Sequence, residues 1–288
     1  MHGGRLAGWN GEKTVIPKRT LGRTGAEVTR LGLGGEGVLR TVGREDEARA
    51  VIEQALESGI GYFESARAYA DSEAYYGKVL GARRGQIFLT SKSHDRTAAG
   101  AAAHLEATLR YLRTDWLDLW QVHDLRTEAD LETIFGPGGA IESFDRARRE
   151  GKVRFVGVTG HQDPVILLRA FDLYDFDTVL LPINPAEPAY LSFIDSVLPE
   201  ARRRDMGIIG MKVLCRGLAL RVPGYEQASP WIRYALSHDV STLVVGCDDP
   251  DQVRQNVAAA EDEPMDEEER RQVEETAGPF ARRLMYYK

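Results

Sequence analysis

The stretch IFLTSKSHDRTAAGAAAHLEATLRYLRTDWLDLWQVH, residues 87–123, contains one strand, one helix and a second strand in order. Its ends, IFLTSK at 87–92 and LDLWQVH at 117–123, are nearly continuous apolar runs, which is typical of parallel strands buried on both faces. Between them, Leu105, Leu109 and Leu112 fall on one face of a helix. The unit therefore predicts a parallel sheet covered by helices.

The same alternation extends over most of the chain. The eight predicted strands are 30–35, 60–65, 87–92, 117–123, 153–159, 178–184, 207–213 and 241–246. Eight such units without a long linker predict an α/β fold of the closed (β/α)8 type, the TIM barrel. An open doubly wound sheet is the rival, but no GxGxxG motif follows the first strand and the strand spacing stays regular to the end.

Both ends of the chain carry segments outside this alternation. Residues 1–14 are predicted to be a mobile tail, and residues 15–288 a single barrel domain. The segment KRTLGRTGAEVTRL at 18–31 predicts a β-hairpin with Gly22 and Gly25 near its turn, placed to close one end of the barrel. The charged segment at 261–283 predicts an extra C-terminal helix that packs outside the barrel.

Composition excludes several classes of function. The net charge of −7 disfavours general binding to nucleic acid or anionic membranes. Two cysteines, Cys215 and Cys247, are too few for a disulfide framework or for four-cysteine ligation of an iron–sulfur cluster, and we expect no metal site. No apolar run approaches the roughly 20 residues of a membrane span. The first residues lack the apolar core of a secretory signal, so we expect a cytoplasmic protein; its oligomeric state is not predictable.

Four titratable side chains follow consecutive predicted strands. Glu64 ends the second strand and Tyr69 lies in the loop after it, whereas Lys92 ends the third strand and His123 the fourth. Function in such barrels lies at the C-terminal ends of the strands. A tyrosine has a pKa of about 10, and a buried ammonium beside it would lower that pKa. With a carboxylate to pair the ammonium and a histidine to orient a carbonyl oxygen, the set predicts carbonyl chemistry in which hydride arrives from a cofactor.

Several motifs together resemble the aldo-keto reductase family over nearly the whole chain. They are LGRTG at 21–25, LGLGG at 31–35, FESARAYADSEAYYG at 63–77, FLTSK at 88–92, DLWQVH at 118–123, VGVTGH at 156–161 and VVGCDDPDQVRQN at 244–256. The resemblance implies that Tyr69 is the general acid in reduction, that Lys92 lowers its pKa and that His123 orients the carbonyl. Glu64 stands where the family has an aspartate. We hypothesise that its ion pair with Lys92 survives the extra methylene.

The predicted nicotinamide end of the cofactor site departs further from the family. Thr159 and Gly160 stand where a serine and an asparagine usually hold the nicotinamide amide, with His161 beside them to compensate. Leu180 replaces a glutamine, although Asn184 matches a family asparagine. Met211 replaces a ring that often stacks on the nicotinamide, and a methionine can still pack against an aromatic ring. Lys212 is a candidate for contact with the pyrophosphate.

At the adenine end, the resemblance places Gly246, Cys247, Asp248, Gln252 and Asn256 against the cofactor. It implies NADP. The basic residue that often binds the 2′-phosphate is missing, however, and Asp248 would repel a phosphate and accept hydrogen bonds from ribose hydroxyls, which favours NAD. The expected cofactor is therefore NAD(P), with a lean towards NAD from Asp248.

These residues predict an NAD(P)-dependent oxidoreductase acting on an aldehyde, ketone or sugar. Two alternatives remain open: a lyase or epimerase using bound NAD or the Tyr–Lys–His set, and a non-catalytic cofactor-binding protein. NADH absorbance retained after purification would favour transient oxidation, and turnover of added NAD(P)H would favour the reductase. Because MYYK at 285–288 is short, we expect an open cleft. The candidate residues lining it are Glu36, Trp120, Tyr225 and Trp231.

Overall fold

A closed barrel of eight parallel strands forms the centre of the molecule in the computed structural model, which describes residues 16–288. The strands follow one another around the barrel in chain order, and the last pairs with the first, which confirms the predicted (β/α)8 fold. The tail predicted at 1–14 lies outside the described residues, and the assignment of 15–288 to one domain stays a prediction. No helix in the described part of the chain is long and apolar enough to cross a membrane.

Each barrel strand lies within three residues of its predicted position. After a hairpin of β1, Lys18–Thr20, and β2, Glu27–Thr29, the barrel strands β3 to β10 are Leu31–Gly37, Tyr62–Glu64, Phe88–Ser93, Leu117–Val122, Val153–Thr159, Thr178–Pro182, Gly207–Met211 and Thr242–Cys247. Strands β8 and β9 end two residues before the predicted boundary. At β9 the cause is visible, because the next residue, Lys212, has a left-handed φ of 57° that no strand accommodates.

Helices surround the barrel. The α-helices α1 to α11 are Glu45–Glu57, Ser72–Val79, Ala98–Leu112, Glu128–Phe135, Ala140–Arg149, Pro164–Leu173, Phe193–Arg203, Ala228–Leu236, Pro250–Glu261, Glu267–Ala277 and Ala281–Leu284. The apolar stripe predicted in α3 is buried at Leu105, Leu109 and Leu112. Helix α10 packs against α8 on the outside of the barrel, as predicted for the charged C-terminal segment.

The N-terminal hairpin closes the end of the barrel opposite the C-terminal ends of the strands. Strands β1 and β2 pair antiparallel, and Leu21 in their connection is fully buried. Together with Val28 it belongs to a cluster formed with inward-facing strand residues such as Tyr62, Phe88 and Leu119. The turn fits closely, because a side-chain carbon on Gly22 would lie 2.4 Å from the backbone of Gly207. The predicted hairpin and its place at the barrel end are therefore confirmed.

Two tryptophans expected in the cleft are core residues instead. Trp120 is fully buried and stacks on Phe144 at 3.7 Å between ring centres, so it faces the outer helices. Trp231 is also fully buried and donates a hydrogen bond to the Tyr225 carbonyl at 2.9 Å. Neither tryptophan nor Tyr225 lines the cavities at the barrel mouth, so these three predictions are wrong. Strand alternation explains Trp120, because it points to the opposite face from Gln121.

Candidate active site

The predicted ion pair between Glu64 and Lys92 is present at the C-terminal end of the barrel. Lys92 forms a salt bridge with Glu64, and its Nζ donates a hydrogen bond to the Ser65 carbonyl at 2.8 Å. The second carboxylate oxygen of Glu64 accepts a hydrogen bond from the Gly35 backbone N–H at 3.0 Å. Both side chains are almost fully buried. The carboxylate is thus held between strands β3 and β5, and the extra methylene leaves the pair intact.

Tyr69 and His123 lie over this pair. Lys92 Nζ is 4.6 Å from the centre of the Tyr69 ring, which is within the range of a cation–π contact. The His123 ring meets the Tyr69 ring edge-on, with 5.7 Å between the centres. The backbone of His123 is fixed by a hydrogen bond from its N–H to the Ser93 carbonyl at 2.8 Å. Residues from three successive strand ends therefore converge on one wall, where the sequence predicted them.

Burial controls the protonation of this group. It raises the pKa of Tyr69 well above its ordinary value, and the Glu36 carboxylate raises it further. The net direction of the shift is thus opposite to the lowering of the Tyr69 pKa expected from Lys92, and that role of Lys92 stays a prediction. Burial lowers the pKa of His123, and Lys92 adds to that effect. Burial also lowers the pKa of Lys92, whereas the Glu36 carboxylate favours its ammonium form. Tyr69 is thus a protonated phenol, and His123 is a neutral imidazole at pH 7.

A cavity of about 700 Å³ opens above these residues. Its lining is mostly polar: apart from Tyr69, Lys92 and His123 it includes His94, Arg96, Asp124, Arg126, Asp130, His161 and Gln162. Most of these charges pair within the wall. Arg96 binds Asp130 at 2.9 Å, and His161 Nε2 lies 3.2 Å from Asp124. The Nδ1 atoms of His123 and His161 are buried without a hydrogen-bond partner among residues 16–288. The polar side chains of the lining, rather than these two buried atoms, give a bound molecule hydrogen-bonding partners.

The residues predicted for the nicotinamide lie on the other side of this cavity. Thr159, Leu180, Met211 and Lys212 line it. The Thr159 hydroxyl accepts a hydrogen bond from the Asp124 N–H at 2.7 Å, so it is already used in fixing the loop after His123. Gly160 does not line the cavity. A side-chain carbon there would lie 3.0 Å from Leu167, so the position accepts no larger residue without movement.

Asn184 is occupied by contacts within the protein. Its Nδ2 donates to the Tyr287 hydroxyl at 2.9 Å, and its Oδ1 accepts from the Ala186 N–H at 3.0 Å. The Tyr287 hydroxyl in turn donates to Glu187 at 2.6 Å, and Lys288 Nζ lies 2.9 Å from the same carboxylate. The assignment of Asn184 to the cofactor stays a prediction.

The short MYYK segment forms part of the wall of the cleft. Tyr286, Tyr287 and Lys288 turn into the barrel mouth and line the cavity, and the Lys288 side chain is 3% exposed. The sequence contained no sign of this, because the acceptor, Glu187, lies 101 positions earlier in the chain.

A second cavity, of about 890 Å³, adjoins the first. Gly246, Asp248, Gln252 and Asn256 line it, at the N-terminal end of α9. Cys247 is buried and its thiol accepts a hydrogen bond from Asn256 Nδ2 at 3.3 Å. Burial raises the pKa of Cys247 to about 12, so it is not a reactive thiolate at neutral pH.

The two cavities meet at four charged side chains: Glu36, Arg40, Lys212 and Arg216. Glu36 was predicted to line the cleft and does so. Arg40 and Arg216 were missed, because an arginine in a loop gives no signal of its direction. The arrangement offers an elongated anionic ligand two adjoining cavities with cationic side chains where they meet. Among residues 16–288, no group of three His, Cys, Asp or Glu side chains is placed to hold a metal ion.

The chain is similar to several known proteins. The model of the aldo/keto reductase family matches residues 30–222. L-galactose dehydrogenase of Arabidopsis thaliana is 26% identical over 317 aligned residues, which cover 92% of this chain and 96% of that protein.

Two solved structures are also similar. The holo form of aldo-keto reductase AKR11C1 from Bacillus halodurans is 25% identical with a TM-score of 0.76, covering 91% of this chain and 96% of that one. An aldo-keto reductase from Klebsiella pneumoniae in complex with NADPH has a TM-score of 0.74 over the same shares; at 19% identity, that likeness concerns the fold alone.

Proposed function

Because this chain belongs to the aldo/keto reductase family of oxidoreductases, we propose that it reduces the carbonyl group of a small polar molecule with a nicotinamide dinucleotide and uses Tyr69 as the proton donor. The observation that carries the proposal is the convergence of Tyr69 and His123 over the buried Glu64–Lys92 pair. The dinucleotide, when bound, supplies the hydride. Leu180, Met211 and Lys212 in the first cavity, and Gly246, Asp248, Gln252 and Asn256 in the second, are the residues proposed to hold it.

Each side chain has a defined task in this reaction. His123, neutral because burial lowers its pKa, donates a hydrogen bond to the carbonyl oxygen and orients it. Tyr69 is kept protonated by burial, and it transfers its hydroxyl proton to that oxygen. The Lys92 ammonium, 4.6 Å from the ring centre, then stabilises the phenolate, and Glu64 keeps the ammonium charged.

Replacement of the proton donor tests the proposal. We expect Tyr69→Phe to lower kcat by roughly 10²- to 10⁴-fold, the usual contribution of a general acid, while the Kd for NADPH stays unchanged. Tyr174→Phe is the matched control, because the Tyr174 hydroxyl donates to Asp145 on the outside of the barrel. A Tyr69→Phe enzyme with unchanged kcat would contradict the assignment.

The polar wall of the first cavity supports a hydroxylated substrate such as an aldose. Charged and polar groups that are paired with each other suit the mixed donors and acceptors of sugar hydroxyls. The relative in Arabidopsis thaliana, an L-galactose dehydrogenase, points to the same substrate class. The kcat/KM values for aldoses and for apolar aldehydes of equal size should therefore differ in favour of the aldoses, and the opposite order would exclude this substrate class.

The choice between NADP and NAD rests on Asp248. Its carboxylate lines the second cavity, where it disfavours a 2′-phosphate, whereas the cofactor named for the Klebsiella pneumoniae structure is NADPH. The comparisons thus give the lean towards NAD no support. Isothermal titration with both dinucleotides decides the matter, and tighter binding of NADPH would overturn the role given to Asp248.

A further inference from the structure

Glu36 lies where the two large cavities meet. It lies in strand β3, one residue before its C-terminal end, and lines both cavities as well as a third, small one of about 40 Å³ that Tyr69 and Gly246 also line. The backbone is tightly placed, since a side-chain carbon on Gly246 would lie 2.8 Å from the Glu36 carbonyl carbon. A molecule that occupies both cavities has to pass this carboxylate.

Three cationic side chains share the Glu36 carboxylate. Arg40 donates to Oε1 at 2.7 Å and Arg216 donates to the same oxygen at 3.0 Å, while Lys212 Nζ lies 3.7 Å from Oε2. Burial alone would raise the pKa of Glu36, but Lys212 and the hydrogen bond from Arg216 outweigh burial and lower that pKa to about 2. One negative charge therefore faces three positive ones, and the junction carries an excess of positive charge.

The loop after β9 holds two of the cations in place. Lys212, Cys215 and Arg216 all have left-handed backbone angles, with φ values of 57°, 47° and 54°. This conformation is unfavourable for non-glycine residues, and such strain persists where the surrounding structure requires it. The Lys212 side chain is only 10% exposed. The loop therefore directs Lys212 and Arg216 at the junction in spite of strain.

We propose that Glu36 is an internal counter-ion that competes with the diphosphate of the dinucleotide for Arg40, Lys212 and Arg216. This inference rests on the proposed function, because it takes the ligand that spans both cavities to be a nicotinamide dinucleotide. The carboxylate neutralises part of the positive charge at the junction when no ligand is bound. A diphosphate brings its own negative charge to the same three cations, so the carboxylate has to move away or remain as a repelling neighbour. Glu36 thereby weakens dinucleotide binding and speeds its release.

Glu36→Gln tests this role by binding rather than by turnover. Isothermal titration should show the Kd for NADPH falling by about tenfold, as expected when a close like charge is removed from a partly buried ion-pair site. The affinity of Glu36→Gln should also decline more steeply with salt than that of the unmodified protein, because more free positive charge takes part in binding. Glu36→Asp keeps the charge and should bind as the unmodified protein does.

Two further variants define the origin of the effect. Glu200→Gln is the matched control, since Glu200 pairs with Arg203 and Arg204 on an outer helix, and it should leave the Kd unchanged. Arg216→Gln should remove most of the gain when it is combined with Glu36→Gln. An unchanged or higher Kd for NADPH in Glu36→Gln overturns the inference, and a higher Kd would mean that Glu36 binds the dinucleotide or clasps it.

These measurements distinguish a failure of this inference from a failure of the proposed function. If the unmodified protein binds NADPH and Glu36→Gln binds it no better, the inference fails and the proposed function stands. If neither binds any nicotinamide dinucleotide, the proposed function fails, and titration with inorganic pyrophosphate then decides the inference alone. Tighter pyrophosphate binding by Glu36→Gln supports the counter-ion role, and equal or weaker binding overturns it.

Discussion

Glutamate at position 64 reaches the same partner that a shorter carboxylate would reach, because its second oxygen is anchored on the Gly35 backbone N–H at 3.0 Å. The side chain spans from strand β4 to both neighbouring strands. Its burial, at 3% exposure, leaves little room for water to replace a lost contact. The pair with Lys92 is therefore a matched unit, in which either member alone would be a buried charge without a counter-ion.

Removal of the Glu64 charge should destabilise the protein strongly. Glu64→Gln leaves the buried Lys92 ammonium with two neutral acceptors, the Ser65 carbonyl and the new amide oxygen, and the loss of its counter-ion costs about 3–5 kcal/mol. Urea unfolding at pH 7 measures this loss of unfolding free energy. The double variant Glu64→Gln/Lys92→Met should lose less than the two single variants added together, and Glu64→Asp, which keeps a carboxylate, should lose least. Additive losses would show that the two charges do not stabilise each other.

The pH dependence of stability has a contribution from His238, which lies far from the site. Burial lowers its pKa from about 6.5 to about 4, and Arg270 and Arg202 add to the shift. Below pH 6.5 the unfolded chain binds a proton at His238 that the folded protein does not bind, so stability is complete above that pH and is lost as the pH falls towards 4.

A comparison with His238→Phe separates the contribution of His238 to the pH dependence of stability from those of the other histidines. Between pH 7.5 and pH 5, the unmodified protein should lose about 2 kcal/mol more unfolding free energy than the variant, at about 1.4 kcal/mol per pKa unit. Urea unfolding at the two pH values gives both numbers. Equal losses in the two proteins would mean that His238 titrates normally in the folded state.

Helix α3 ends at a C-cap residue whose left-handed backbone conformation is unfavourable for its side chain. Its N-terminus is capped by the Thr97 hydroxyl, which accepts a hydrogen bond from the Gly100 N–H. Its C-cap is Arg113, an exposed residue with φ 53° and ψ 47°, where glycine is the preferred residue. The tertiary structure imposes this angle, because the chain must turn at once into strand β6.

A single glycine should therefore stabilise this element. Arg113→Gly removes the left-handed strain and should raise the unfolding free energy by about 1 kcal/mol. Arg110→Gly, three residues earlier on the exposed side of the same helix, is the control and should lower it by about 1 kcal/mol. Chemical denaturation resolves the two signs, and a loss of stability in Arg113→Gly would contradict the role of the cap.

At the scale of the whole molecule, the apolar cluster under the hairpin and the titratable side chains lie at opposite ends of the barrel. The hairpin closes one end, where Leu21 joins the inner cluster, and the titratable side chains gather at the other. Neighbouring parallel strands all end on the same side, so residues after different strands meet there regardless of their distance in sequence.

Shortening a buried side chain at the closed end should lower stability and leave catalytic activity almost unchanged. Leu21→Ala leaves a cavity under the hairpin and should cost about 2–5 kcal/mol of unfolding free energy. The kcat/KM of the folded variant should stay within about twofold of the unmodified value, since the substituted residue lies at the far end of the barrel. Val42→Ala, at a side chain that is 71% exposed, is the control for stability and should change it by less than about 0.5 kcal/mol. A large fall in kcat/KM for Leu21→Ala would show that the two ends are coupled.

The sequence by itself determined the barrel, the hairpin and the four residues Glu64, Tyr69, Lys92 and His123, because each is encoded locally: strands by apolar runs, and the site by the residue that follows each run. Only the tertiary structure decided the direction of side chains that lie in loops or meet across the barrel. Trp120 faces the helices, Lys288 returns to Glu187, and three cations converge on Glu36. The physical reason is that such contacts depend on backbone angles and packing between distant segments, which local spacing does not record.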